Sequence, residues 1–242
     1  MAEEVDTGNT QLRRLRVVTY NVHACIGNDG EFSPQRICDV LHELKADFIG
    51  IQELEDLVLG DESVSEYLAR NLDMHAYRGP TLMREDAHYG NLLLSRKPAQ
   101  TTRMHDISVP GREPRGIIEA EYDLFHRRVR LMVTHFGLRA SERRGQVDTL
   151  STIADNGTAD VDVLLGDFNE WRPASYTARA LKKRFGAISR RRTWPARWPV
   201  LALDSICVSP EAVSRTIRAQ ISTTARVASD HLPLVGDLEL PG

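Results

Sequence analysis

The stretch Val163-Leu164-Leu165-Gly166-Asp167-Phe168-Asn169 sets a fully apolar run directly against an acid and an amide. A short run that is apolar at every position predicts a strand buried on both faces. The same pattern recurs along the chain. Val17-Val18-Thr19-Tyr20 ends in Asn21, Phe48-Ile49-Gly50-Ile51 in Gln52-Glu53, and Leu131-Met132-Val133-Thr134 in His135. Ala202-Leu203 leads into Asp204, and Ser229-Asp230-His231 stands just before a last apolar run. A buried carboxylate costs several kcal/mol unless it is paired, hydrogen-bonded or on a metal. One acid at a strand end is ordinary turn chemistry. So many together predict strand ends that converge on one polar cleft.

Working outward, strand-like runs occupy residues 16–22, 47–54, 91–95, 117–124, 128–136, 161–168, 202–209 and 235–240. In 117–124 the acids Glu119, Glu121 and Asp123 alternate with apolar residues, the pattern of a half-exposed strand. Helices fit between several runs. Ser33-Pro34 supplies an N-cap followed by proline at the first helical position, and Ile37, Val40, Leu41 and Leu44 then form one apolar stripe. A second helix is expected from Ser141, burying Val147, Leu150, Ile153 and Ala154, with shorter ones at 63–72 and 174–185. Strands outnumber helices and are mixed with them, which predicts an α/β layered sandwich.

A chain of 242 residues suits one domain, here 15–242 after a polar tail at 1–14. With 31 basic against 34 acidic residues it is no polycation, which argues against broad wrapping of nucleic acid. Cys25, Cys38 and Cys207 are too scattered for a disulfide framework or a zinc site and read as buried residues of a reducing compartment. The acidic start Met-Ala-Glu-Glu-Val-Asp is not a signal peptide, and no apolar stretch approaches the roughly 18 residues of a transmembrane helix. A cytoplasmic protein without an obligate protein partner is expected.

The polar inventory has a chemical meaning. Carboxylates and an amide without a thiolate pair fit a hard cation. Histidines without zinc spacing fit acid–base work. Metal-assisted attack of water on phosphorus needs a cation, a proton acceptor and donors for the charged oxygens. Glu53 and Asp230 suit the metal, Asp204 and His231 an acid–imidazole dyad, and Asn21, Asn169 and His135 the phosphate oxygens.

These residues resemble the endonuclease/exonuclease/phosphatase superfamily. The matching segments run in the family's order: Thr19-Tyr20-Asn21-Val22, Ile51-Gln52-Glu53, Tyr89-Gly90-Asn91-Leu92-Leu93-Leu94-Ser95, Arg115-Gly116, Thr134-His135-Phe136, Gly166-Asp167-Phe168-Asn169, Leu203-Asp204-Ser205-Ile206 and Ser229-Asp230-His231-Leu232-Pro233. The resemblance implies a four-layer α/β sandwich of two packed mixed sheets flanked by helices, with the site at one end. It implies Mg²⁺, with Mn²⁺ as a substitute, on Glu53 with Asn21 and Asp230 nearby. Asp167 would orient or activate water or hold a second metal, Asn169 and His135 would bind phosphate with Arg115 as a further candidate, and Asp204 would orient His231. Abasic-site endonucleases carry an acid where this chain has His23 and a tyrosine where an ungapped alignment puts Val109. Both departures argue against abasic-site repair.

Arg179, Lys182, Lys183, Arg184, Arg190, Arg191, Arg192 and Arg197 form a local basic stretch. It is either a solvated face or an electropositive rim for a phosphorylated substrate. Trp194 and Trp198 beside it either cap the core or contact substrate, as Trp194 and Arg197 would. Arg139, Arg143 and Arg144 read as surface charges, one of them within reach of a phosphate. The expected activity is hydrolysis of a phosphodiester or phosphomonoester, on a lipid headgroup, a small molecule or nucleic acid. The alternatives are a nuclease for short or single-stranded nucleic acid and a catalytically silent binding module. The silent module predicts lost site residues, yet the main ones are all present.

Overall fold

The computed structural model describes residues 13–84, 87–186, 188–210 and 213–240. Its strands are β1 (Arg13–Asn21), β2 (Phe48–Asp56), β3 (Val58–Leu59), β4 (Glu62–Ser63), β5 (His75–Arg84), β6 (Ala87–Ser95), β7 (Thr101–Asp106), β8 (Gly116–Leu124), β9 (Arg127–His135), β10 (Val161–Asp167), β11 (Asp204–Ser209), β12 (Ser214–Ala219) and β13 (Leu234–Leu240). The helices are α1 (Pro34–Leu44), α2 (Val64–Leu72), α3 (Ala140–Asp155), α4 (Tyr176–Phe185) and α5 (Thr223–Ala228). One sheet runs β12-β13-β1-β2-β6-β5, the other β11-β10-β9-β8-β7, and β3-β4 is a small separate hairpin.

Side-chain alternation along the strands builds the layers. Successive residues of a strand point to opposite faces, so Val17 enters the space between the sheets and Val18 the space under the helices. The inter-sheet core includes Phe48, Leu93, Ile118, Val133, Leu165, Ile206 and Leu238. Helices α1, α2 and α5 cover the outer face of the first sheet over Tyr20, Ile37, Leu41, Leu68 and Leu92. Helices α3 and α4 cover the second over Met132, Leu150, Leu164 and Leu181. The result is the expected four-layer α/β sandwich. Helix α1 begins as its sequence predicts: Ser33 Oγ accepts the Arg36 N–H at 3.3 Å, Pro34 opens the first turn, and Lys45 ends it in a left-handed conformation.

The expected tail at 1–14 falls outside the described residues up to residue 12, and Arg13 and Arg14 stand in β1. The half-exposed reading of 117–124 is corrected at Glu119. This side chain is buried against Arg103 at 3.2 Å and His105 at 2.9 Å, with Arg130 at 4.0 Å. Basic side chains on the two neighbouring strands, β7 and β9, replace the water the alternation implied. Arg143 is likewise buried, not a surface charge. Among the described residues no helix is long and apolar enough to cross a membrane.

Each sheet holds one parallel pair, β1 with β2 and β9 with β10, and the other pairs of the two sheets are antiparallel. Carboxyl ends of parallel strands are where open α/β sheets place ligands. Here the two sets of ends lie at the same end of the sandwich: β1 packs on β10, and their last residues, Asn21 and Asp167, are hydrogen-bonded to each other. Two glycines permit this approach. A Cβ on Gly50 would lie 3.0 Å from Leu165 Cβ on the opposite sheet, and one on Gly166 would lie 2.5 Å from the Thr134 carbonyl oxygen on the paired strand β9. That carbonyl belongs to the β9–β10 ladder and has no freedom to turn away. Gly166→Ala is therefore expected to lower unfolding free energy by about 2 kcal/mol. A urea midpoint equal to that of the wild type would contradict this.

Candidate active site

The polar residues at the strand ends are the last rung of the inter-sheet core. In β10, Asp167 continues the face of Val161, Val163 and Leu165; in β9, His135 continues that of Val129, Leu131 and Val133. Register sets Asp167 opposite His135 on one side and Asp204 on the other. Asn21 ends the same face of β1. Glu53 is the exception. By alternation it follows Ile49 and Ile51 towards the helices, but a bulge between Ile51 and Leu54 and a left-handed φ of 56° at Glu53 turn it back. For a residue other than glycine that conformation costs about 1–3 kcal/mol and is held only by surrounding structure.

Asn21 Nδ2 donates to Glu53 Oε1 at 2.9 Å and to Asp167 Oδ2 at 3.1 Å, tying two carboxylates from different sheets together. Asp167 Oδ1 accepts the backbone N–H of Asn169, itself left-handed at φ 50°, at 2.9 Å. Burial, then the neighbouring Asp204, raises the Asp167 pKa to about 6, against the opposing pull of His231, Asn169 and Asn21.

His135 lies between Arg115 Nη1, 3.0 Å from its Nδ1, and Asn169 Nδ2, 3.1 Å from its Nε2. A guanidinium and an amide NH₂ can only donate, so a neutral His135 ring, with one bare nitrogen, accepts from one of these two neighbours and not from both. Nε2 is 3.7 Å from both Glu53 Oε1 and Asp167 Oδ2. Burial, with the positive charges of Arg115 and His231, holds the His135 pKa well below the usual range, so the ring is neutral. Arg115 is in turn held by Glu113 at 2.9 Å.

His231 behaves in the opposite way. Its Nδ1 donates to Asp204 Oδ2 at 2.8 Å, and its Nε2 lies 3.7 Å from Asp167 Oδ2. Burial works against the charged ring, yet Asp204 foremost, then Asp167 and Asp230, push its pKa up to about 10. Thr193 Oγ1 also donates to Asp204 Oδ2. Asp204 Oδ1 is buried without a hydrogen-bond partner.

Glu53, Arg115, His135, Asp167, Asn169 and His231 line a cavity of about 710 Å³, while Asn21 and Asp204 support them without lining it. Asp230 also lines it; its Oδ2 accepts Trp194 Nε1–H at 3.1 Å and its Oδ1 is 4.0 Å from His23 Nδ1, so it stands apart from the Glu53–Asp167 group. His23 reaches the cavity from a left-handed turn at His23–Cys25. Arg197 is not brought into the cavity: it is exposed, and its carbonyl holds Arg226. Sequence reading missed the support beneath. Arg143 Nη2 donates to Glu170 Oε2 at 3.2 Å, and its Nη1 to the Gly137 and Leu138 carbonyls, joining the loops after β9 and β10.

Glu53, His135 and Asp167 lie close enough to hold a cation together; Asp167, Asp204 and His231 are equally close, but the protonated His231 ring offers a cation no lone pair. Oxygen donors predominate, the carboxylates crowd one another, and Asp204 keeps an orphaned oxygen. That donor chemistry is compatible with a divalent cation.

The sequence profile of the Endonuclease/Exonuclease/phosphatase family matches residues 18–231. The chain belongs to that family. Uncharacterized protein YbhP of Escherichia coli (strain K12) is 28% identical over 254 residues, covering 96% of this chain and 98% of YbhP. The family structure from Beutenbergia cavernae superposes with a TM-score of 0.73 at 23% identity, over 95% of this chain and 72% of that one. The family member from Bacteroides vulgatus gives 0.75 at 18% identity, over 94% and 99%. The family segments read in the sequence supply the polar rung described above.

The raised His231 pKa has a definite sign. Its charge contributes stability in full below the free imidazole value of about 6.5, and that contribution is lost as pH rises through about 10. In the metal-free protein, ring ¹⁵N shifts at about pH 8 are expected to show protonated His231. Asp204→Asn should bring the titration down by at least about one unit. A neutral wild-type ring at that pH would contradict the electrostatic reading.

Proposed function

We propose that the protein is a Mg²⁺-dependent phosphoesterase that cleaves a phosphodiester or phosphomonoester by attack of water on phosphorus. The observation that carries this reading is the meeting of two unlike groups. The Asp204-held imidazolium of His231 faces the Asp167 carboxylate across 3.7 Å, beside the Asn21–Glu53 pair. Glu53 and Asn21, with Asp230 nearby, would hold Mg²⁺ (or Mn²⁺), which when bound neutralises phosphate charge. Asp167, ionised above pH about 6, orients the attacking water and accepts its proton. His231 directs its positive Nε2–H at a phosphate oxygen, and Asp204 fixes that orientation. Asn169 and His135 would contact the remaining oxygens, while Arg115 holds the His135 ring in place. The three cysteines are buried and free, which supports a reducing compartment and a cytoplasmic location.

Turnover of bis-p-nitrophenyl phosphate and p-nitrophenyl phosphate, with Mg²⁺ and with EDTA, tests the reading. His231→Ala is expected to lower kcat about 10²–10⁴-fold at saturating Mg²⁺. Glu53→Ala should raise the Mg²⁺ requirement and cut turnover while the fold is kept. Full activity in His231→Ala, or turnover indifferent to EDTA, would sink the assignment. A nuclease for short single strands would reveal itself by preferring an oligonucleotide to both small esters.

A further inference from the structure

Exposed large apolar side chains gather at the end of the sandwich that carries the site. Phe32, Leu138, Trp171, Trp198, Val200 and Ile221 all stand there, in loops that leave or enter strands beside Asp167, whereas Phe125 occupies the β8–β9 hairpin at the opposite end. Leu138 and Trp198 each leave 73% of their surface in water, Val200 58% and Trp171 47%. Leu138 and Trp171 sit at the mouth of the active cavity. Trp198 and Val200 belong to the loop whose Trp194 and Leu201 complete the same wall.

On the loops of Leu138, Trp171, Trp198 and Val200 the exposed charges have one sign: residues 138–144, 171–176 and 190–200 present arginines, Arg139, Arg172, Arg190, Arg192 and Arg197 among them. The carboxylates nearby, Glu142 and Glu170, are turned inward. The loop of Phe32 differs, with Asp29 and Glu31 exposed, so the basic face is confined to the three arginine-bearing loops. Tryptophan and aliphatic tips ringed by guanidinium groups match the interface of an anionic bilayer, where the apolar tips leave water and the cations meet lipid phosphates. A single-stranded nucleic acid would also use tryptophan and arginine. Leu138 and Val200, however, offer no ring to a base, whereas apolar tips of either kind can enter a lipid interface.

We infer that this face docks the protein on an anionic lipid surface and presents the site to phosphate esters held there. The inference rests on the phosphoesterase reading, and its test separates the two. The full-length protein is sedimented with vesicles of phosphatidylcholine plus phosphatidylglycerol and with pure phosphatidylcholine vesicles, and a labelled single-stranded oligonucleotide is titrated in parallel. Mg²⁺-dependent turnover of soluble bis-p-nitrophenyl phosphate is followed for every variant. Wild type should partition to the anionic vesicles. The double variants Trp198→Ser/Val200→Ser and Arg139→Glu/Arg192→Glu should each lose at least about tenfold in that partition, with soluble turnover unchanged. Wild type that stays in solution, or double variants that bind like wild type, would overturn the docking face. So would an oligonucleotide bound in place of vesicles. Soluble turnover without vesicle binding defeats only the docking face; vesicle binding lost in the variants, without any turnover, supports the face and defeats the phosphoesterase reading.

Discussion

Asp167 is a carboxylate at the seam of two sheets, almost sealed from water, and the local structure follows from keeping it there. A charge in that position needs donors and cations in place of solvent. Asn21 supplies a donor from the opposite sheet, Asn169 a backbone N–H from the following turn, and His231 a positive ring on the far side. Each partner then needs its own support. The ring leans on Asp204, which takes the Thr193 hydroxyl, and the turn that carries Asn169 runs into Glu170, anchored by Arg143. Compensation for one buried acid thus extends through both sheets and into helix α3.

The two histidines show how one cavity holds two protonation states. They flank the same carboxylate at equal distance, 3.7 Å. Burial disfavours charge on both rings; at His135 the guanidinium behind it adds to that effect and the ring is neutral, whereas at His231 the carboxylate behind it overcomes burial and the ring is charged. A neutral ring and a cation therefore stand side by side without any change of pH.

Much of this was readable before any coordinates, for a physical reason. Core strands such as 161–168 announce themselves because every position is apolar, and a polar group at their end is then conspicuous. Besides the short β3–β4 hairpin, the strands that escaped, β5, β7 and β12, are all edges of the two large sheets. An edge such as Thr101–Asp106 lies mostly in water and carries no periodic apolar signal. Among site groups, Asp167, Asp204 and His231 follow from their motifs. Arg143 and Glu170 do not, because an ion pair between residues 27 apart is written only in the tertiary structure. The left-handed turn at Glu53 is equally silent: glutamate has no preference for it, and the fold imposes it.

Strand β13 lies beside β1 in the interior of its sheet, and Ser229 Oγ donates to the carbonyl of Asn21 at 2.8 Å. Groups 208 residues apart in the chain are therefore neighbours in the finished site. On a ribosome Asn21 emerges long before His231, so a nascent chain that already carries one wall of the cavity still lacks the other. The polar rung cannot close until β13 has slotted in beside β1, which makes assembly of the site a late event of folding.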